Sequence, residues 1–132
     1  MKILLRPCVL LPLLLGASTG SAHHAVQAQF DVKDVQSFTG TMTKVELINP
    51  HPYFHLDVEV PDGETVAWAI ESVALNALRR MGLIKQLQVG LEYTVEYYPA
   101  RNGEMIGLMT AITLPNGNRL LMLNQDPAAA QR

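Results

Sequence analysis

The apolar and polar positions of this 132-residue chain change their pattern several times. Residues 9–15 are apolar apart from Pro12, and residues 16–22 are small. Residues 23–37 are polar and read as an extended arm, with Phe30 and Val32 as its docking points. From Phe38 the pattern becomes that of strands. Thr39, Thr41, Thr43 and Val45 recur at period two with β-branched enrichment, which predicts a strand over 38–48. Asn49-Pro50-His51-Pro52 ends it, because prolines remove ladder donors and restrict the residues before them. Alternation resumes over 53–60, with Tyr53, His55, Asp57 and Glu59 on one face and Phe54, Leu56, Val58 and Val60 on the other. Pro61-Asp62-Gly63 is a turn into a third strand over 64–70.

The period then lengthens. Ser72 reads as a helix N-cap, and Leu75, Leu78 and Met81 stand at helical spacing within a helix over 73–81. Arg79 and Arg80 suit the negative end of its dipole, and Gly82 supplies the stop. A fourth strand over 92–98, a loop over 99–103, a fifth strand over 105–114, and a tight turn at Pro115-Asn116-Gly117 into 119–123 complete the pattern. Three strands, one short helix and two or three further strands give a mainly β fold. The expected architecture is a small OB-like five- or six-stranded barrel, or a half-barrel with the helix across one end. Closure suits a small domain because it removes exposed strand edges.

The start of the chain carries a different signal. Lys2 and Arg6, the apolar stretch, and small residues ending at Ala22 read as a secretory signal peptide over 1–22. The organisation expected is signal 1–22, arm 23–37, β domain 38–123 and flexible tail 124–132. The only cysteine, Cys8, lies inside the signal, so the mature domain has no disulfide and no thiol chemistry. Removing Lys2 and Arg6 from the 10 basic residues leaves 8 against 12 acidic ones, a net charge of −4. That balance disfavours nucleic acid as a partner. No segment after residue 22 is apolar enough for a helical membrane span, so the expected location is periplasmic or secreted.

The chemistry concentrates in the histidines. All four fall in two clusters, His23-His24 at the signal boundary and His51 with His55 in Asn49-Pro50-His51-Pro52-Tyr53-Phe54-His55. A cut after Ala22 makes His23 the first residue. Its amine and Nδ1 then chelate one metal, and a further imidazole completes a T-shaped set suited to Cu(II). A cut after Ser21 or Gly20 places His24 or His23 third, where amine, amides and imidazole bind Cu(II) in a square plane. The alternative is a solvated start to the arm. His51 sits in a rigid proline-flanked turn, ready either to ligate or to hydrogen-bond the turn backbone. His55 is four positions on, about 13 Å away along a strand, and reads as a surface residue. Glu71 is a candidate metal ligand, an acceptor that orients an imidazole, or an acid favouring the helix start. Trp68 reads as core or pocket wall. Met105, Met109 and Met122 read as core rather than as thioether ligands, and Asp57 and Glu59 as a solvated edge.

The whole stretch after the signal resembles the family catalogued as the domain of unknown function 6152. The resemblance rests on His23-His24, Thr39-Gly40-Thr41, Val45-Glu46 with Asn49-Pro50-His51, Trp68, and Glu71. It continues through Asn76-Ala77-Leu78-Arg79-Arg80, Gly90, and Pro99-Ala100-Arg101 before Gly103. His55 departs from it, since a non-ligand such as Tyr is usual there. The resemblance implies export and a small β-rich fold.

No nucleophile with an adjacent base, phosphate loop or paired-carboxylate motif is present, so a non-enzymatic role is expected. The favoured expectation is an exported OB-like domain binding a transition metal, copper foremost, through His23 and His51, with His24 and Glu71 as alternates or supports. Such a protein sequesters the metal or passes it to another exported protein. The competing expectation is a metal-free module that binds a protein or small ligand at the Asn49 corner. An oxidative copper enzyme is the third and weakest reading.

Overall fold

The computed structural model describes residues 21–123, with side chains from Ala25 onward. The expected signal and tail calls fall on residues 1–20 and 124–132, outside the described residues. The elements are α1 (Ser21–Gln29), β1 (Gln36–Glu46), β2 (Tyr53–Glu59), β3 (Thr65–Glu71), α2 (Leu75–Arg80), β4 (Glu92–Pro99), β5 (Ile106–Thr113) and β6 (Arg119–Leu121). The strands pair in the order β3-β2-β1-β4-β5-β6, and a parallel β3–β5 pairing closes the first five into a barrel. This is the OB-like arrangement expected from the sequence, with β6 as one extra strand.

Closure begins in β1. Its first half pairs with β4, from Gln36↔Tyr97 to Thr41↔Glu92, and its second half pairs with β2, from Thr41↔Asp57 to Glu46↔Tyr53. One strand serving both neighbours must bend. Gly40 allows the bend, and a register irregularity between Met42 and Lys44 adds twist. A Cβ on Gly40 would stand 2.8 Å from the Asp57 carbonyl oxygen, so this position requires the missing side chain. The other closing contact is β3 on β5, with Ala69↔Ile106, Ile70↔Gly107 and Glu71↔Leu108 in register.

The apolar face foreseen for β2 is the core face: Phe54 and Leu56 are fully buried beside Met42, Ile70, Val95, Met109 and Ile112. Leu75 and Leu78 of α2, and Leu83 beyond it, are buried at one end of the barrel. At the other end Phe38, Trp68 and Tyr97 meet with ring centroids 4.9–5.3 Å apart. Of the methionines expected in the core, Met109 is buried and Met122 packs against it, but Met105 is 47% exposed.

Two expectations are corrected. The N-terminal stretch is helical through Gln29 rather than extended. Its Ala- and Gln-rich run has no Gly or Pro and favours the helix, which low hydrophobicity alone does not reveal. Phe30 then bridges Ala100 and is 2% exposed, packing with Tyr98 and Leu108 in a second small core on the outside of the barrel. Arg101 fixes this docking through the Gln27 carbonyl at 2.8 Å and Asp31 at 3.3 Å. The second correction concerns Ser72, which does not cap α2. The helix starts later, with Ala74 at the N-cap and no side-chain cap bond, and the Ser72 backbone N–H donates to the Pro52 carbonyl at 2.9 Å, which holds Ser72 in the strand exit. Its buried hydroxyl has no partner among the described residues. Gly82, with φ of +68°, ends the helical turn as expected.

Gly40→Ala is expected to destabilise the fold by about 1–3 kcal/mol through overpacking against rigid backbone. Chemical denaturation of the two proteins under identical conditions checks this, and an unchanged midpoint would contradict the bend.

Candidate functional site at the β1–β2 corner

The corner is built by strand register. Tyr53, the first residue of β2, lies opposite Glu46 on β1 and opposite Glu71 on β3. The three therefore form one row across three strands, on the outer face of the barrel. Two strand spacings separate the backbones of Glu46 and Glu71, about 10 Å. A cis Asn49–Pro50 peptide precedes His51, and the Ser72–Pro52 backbone bond ties the corner to the exit of β3.

The corner places His51 against Glu71, 20 positions away in sequence, with Nδ1 2.5 Å from Glu71 Oε1. The Tyr53 hydroxyl donates to Glu71 Oε2 at 3.1 Å. Both carboxylate oxygens are thus engaged. Glu71 is 13% exposed whereas His51 is 47% exposed, so the acid is fixed while much of the ring faces solvent. A ring that donates from Nδ1 to a carboxylate keeps its Nε2 lone pair available to a metal or a proton donor. Of the three sequence readings of Glu71, the geometry matches that of an imidazole-orienting acceptor. The helix-start reading is ruled out, since α2 begins four residues later and has no acid in its first turn.

His55 lies on the same face but turns toward β1. Its Nε2 is 3.1 Å from Glu46 Oε2, and Lys44 also pairs with Glu46. The two donors, Lys44 first and His55 second, hold the Glu46 carboxyl below its ordinary pKa. Burial, followed by the charge and hydrogen bond of Glu71, pushes the Tyr53 phenol above its ordinary value. Sequence reasoning assigned no chemistry to Tyr53 or Glu46. Strand parity put Tyr53 on the same face as His55, but the pairing of both with distant acids depends on register.

The side chains of His23 and His24 lie outside those described, although their backbone belongs to α1. Among the described residues, no three His, Cys, Asp or Glu side chains gather as a metal-binding group. His51 and Glu71 are brought together, and His55 is held separately by Glu46. Arg79 and Arg80 are exposed at the end of α2, with Arg79 reaching Asn76 at 3.4 Å. A groove of about 460 Å³ lies elsewhere, over Thr39, Thr94, Thr113 and Leu91, and includes none of the sequence-predicted residues.

A profile described as a family of unknown function, DUF6152, matches residues 12–110. The chain belongs to this family. The DUF6152 match takes in β1 to β4 and both partners of the His51–Glu71 pair. No curated protein gives a significant match. Among solved structures, a mitochondrial single-stranded DNA binding protein from S. cerevisiae aligns at 17% identity with a TM-score of 0.46, covering 64% of this chain and 96% of that one. No helix of the described residues is long and apolar enough to cross a membrane.

The Tyr53 phenol is expected to ionise above about pH 10, the ordinary tyrosine range. The raised folded-state pKa means that stability from this group is present below that range and is lost as pH climbs through the folded value. Absorbance titration of the wild type against Tyr53→Phe isolates this group. Glu71→Gln should lower its pKa only part of the way, because burial is the larger cause. An ordinary pKa in the wild type would contradict the contact.

Proposed function

We propose that this protein is an exported barrel that binds a transition metal, copper above all, and sequesters it or delivers it to another exported protein. His51 ligates through Nε2, Glu71 and Tyr53 hold the ring, and His23 and His24 supply further nitrogens. The observation that carries the reading is the 2.5 Å contact between His51 Nδ1 and Glu71 Oε1. It favours the proton on Nδ1 and a free Nε2, the arrangement by which carboxylates orient ligating imidazoles. A nitrogen-rich set without thiolate suits Cu(II).

The docking of Phe30 supports the supply of those nitrogens. Phe30 packs on Leu108, and Leu108 is the closure partner of Glu71. His23 precedes Phe30 by seven positions, about 10 Å along a helix. The backbone that carries the N-terminal histidines therefore begins within about 10 Å of the Phe30 docking point, which rests on the closure partner of Glu71. Signal removal after Ala22 frees the His23 amine, so the complete ligand set exists only in the processed chain.

The metal-free reading rests on a different observation. Leu47 and Ile48, 44% and 50% exposed, adjoin the His51 corner and offer an apolar rim to a protein or small ligand.

The test is Cu(II) titration of the secreted form near neutral pH, with its N-terminus established by intact mass. The expected result is a nitrogen-coordinated Cu(II) signal, with affinity falling roughly tenfold or more in His51→Ala and about 10- to 100-fold in Glu71→Gln. No binding, or binding unchanged in His51→Ala, would overturn the metal reading and leave the interaction module.

A further inference from the structure

Charge is unevenly distributed in this chain. Residues 72–91, the connection from β3 to β4, contain Arg79, Arg80 and Lys85 and no acidic residue. The whole chain has 12 acidic residues and a net charge of −2, so the connection is a cationic segment on an acidic protein. Elsewhere Arg119 is clasped by Glu96, Arg101 by Asp31 and Lys44 by Glu46, while Lys33, exposed ahead of β1, is a lone cation without an ion pair among the described residues. Arg80 and Lys85 have no such partner among the described residues, and Arg79 meets only the neutral Asn76.

Packing sets where these cations point. Leu75, Leu78 and Leu83 are buried, while Arg79, Arg80, Met81 and Lys85 remain exposed. The segment thus plugs the barrel with one side and presents cations on the other.

The same end of the barrel carries unusual apolar exposure. The register Glu46↔Tyr53↔Glu71 puts the β1–β2 corner at the exit of β3. The Ser72–Pro52 bond at 2.9 Å and the Gly90–Met42 bond at 2.7 Å join both ends of the cationic segment to that corner and to β1. Exposed Leu47 and Ile48 come from the corner, and exposed Met81, Val89 and Leu91 from the segment, with Val89 the most open at 62%. Of the acids at this end, Glu46 is held by Lys44 and His55, and Glu71 by His51 and Tyr53. Glu92 is exposed at the rim.

We propose that this end of the barrel is a docking surface for an anionic phospholipid bilayer. Unpaired Arg and Lys side chains interspersed with exposed apolar side chains match a surface that offers phosphate headgroups above hydrocarbon. Each cation near such a surface strengthens attachment by about fivefold. The attachment is peripheral. It turns the β1–β2 corner toward the bilayer and keeps the acidic remainder of the barrel away from it. The assignment does not depend on metal binding at His51.

The test is vesicle flotation with the secreted form of the chain, its N-terminus established by intact mass. Vesicles of phosphatidylcholine with one-third phosphatidylglycerol are compared with pure phosphatidylcholine at low and high salt. The expected result is binding to the anionic vesicles alone, weakened by salt and lowered by about 100-fold or more in the triple variant Arg79→Glu, Arg80→Glu, Lys85→Glu. A thermal melt of that variant verifies folding. Should it fail to fold, Val89→Ser with Ile48→Ser removes exposed apolar contacts and is expected to weaken binding severalfold. No preference for anionic vesicles, or equal binding by the folded triple variant, would overturn the proposal. So would association with acidic proteins in the absence of any vesicle binding.

Discussion

Everything in this molecule depends on closing the sheet between β3 and β5. Only three residue pairs make that seam, and Gly107 is the middle member on β5. A Cβ there would stand 2.5 Å from the Tyr97 ring, so the seam closes because the position has no side chain. The last pair is Glu71↔Leu108. Glu71 is therefore held by β2 on one side and by β5 on the other before its carboxylate makes a single contact. The His51–Glu71 pair inherits its rigidity from barrel closure, as the proposed ligand role requires.

Closure also explains why the two histidines of the corner behave differently. Tyr53 stands between two acids in one cross-strand row, and each acid takes a different imidazole. His51 reaches the more covered Glu71, whereas His55 shares the more open Glu46 with Lys44. One imidazole is positioned by a single fixed carboxylate, and the other belongs to a surface ion-pair network of low energetic weight. The outside of the same seam serves the N-terminal segment, because Leu108 and Tyr98 form the floor on which Phe30 rests. A single closure thus brings together the corner, its acid and the chain that leads from the His23-His24 pair.

Much of the barrel was legible because its signals are local. The Thr39–Thr41–Thr43–Val45 alternation marks β1, and Pro61-Asp62-Gly63 and Pro115-Asn116-Gly117 mark turns. The histidine at a proline-flanked corner and the acid ending β3 were both legible as single residues. Their partnership was not, because a 2.5 Å contact across 20 positions depends on register. Ser72 misled for a related reason: capping propensity is local, but where the helix starts is not, and Ser72 stays with the strand exit through a bond to Pro52 while Ala74 takes the N-cap. In α1, a polar run with three Ala, two Gln and no Gly or Pro is compatible with helix but weak in hydropathy, and the second signal gave the wrong answer.

The central claim is that Glu71 holds His51 with its proton on Nδ1 and its Nε2 free. Nitrogen-15 NMR of the imidazole rings measures this directly, with His51→Ala used to assign the signal. The account predicts that His51 is in the Nδ1-protonated tautomer, that diamagnetic Zn(II) perturbs Nε2, and that Glu71→Gln restores the tautomer mixture of a free imidazole. A proton on Nε2 in the wild type, or a tautomer balance unmoved by Glu71→Gln, would contradict it.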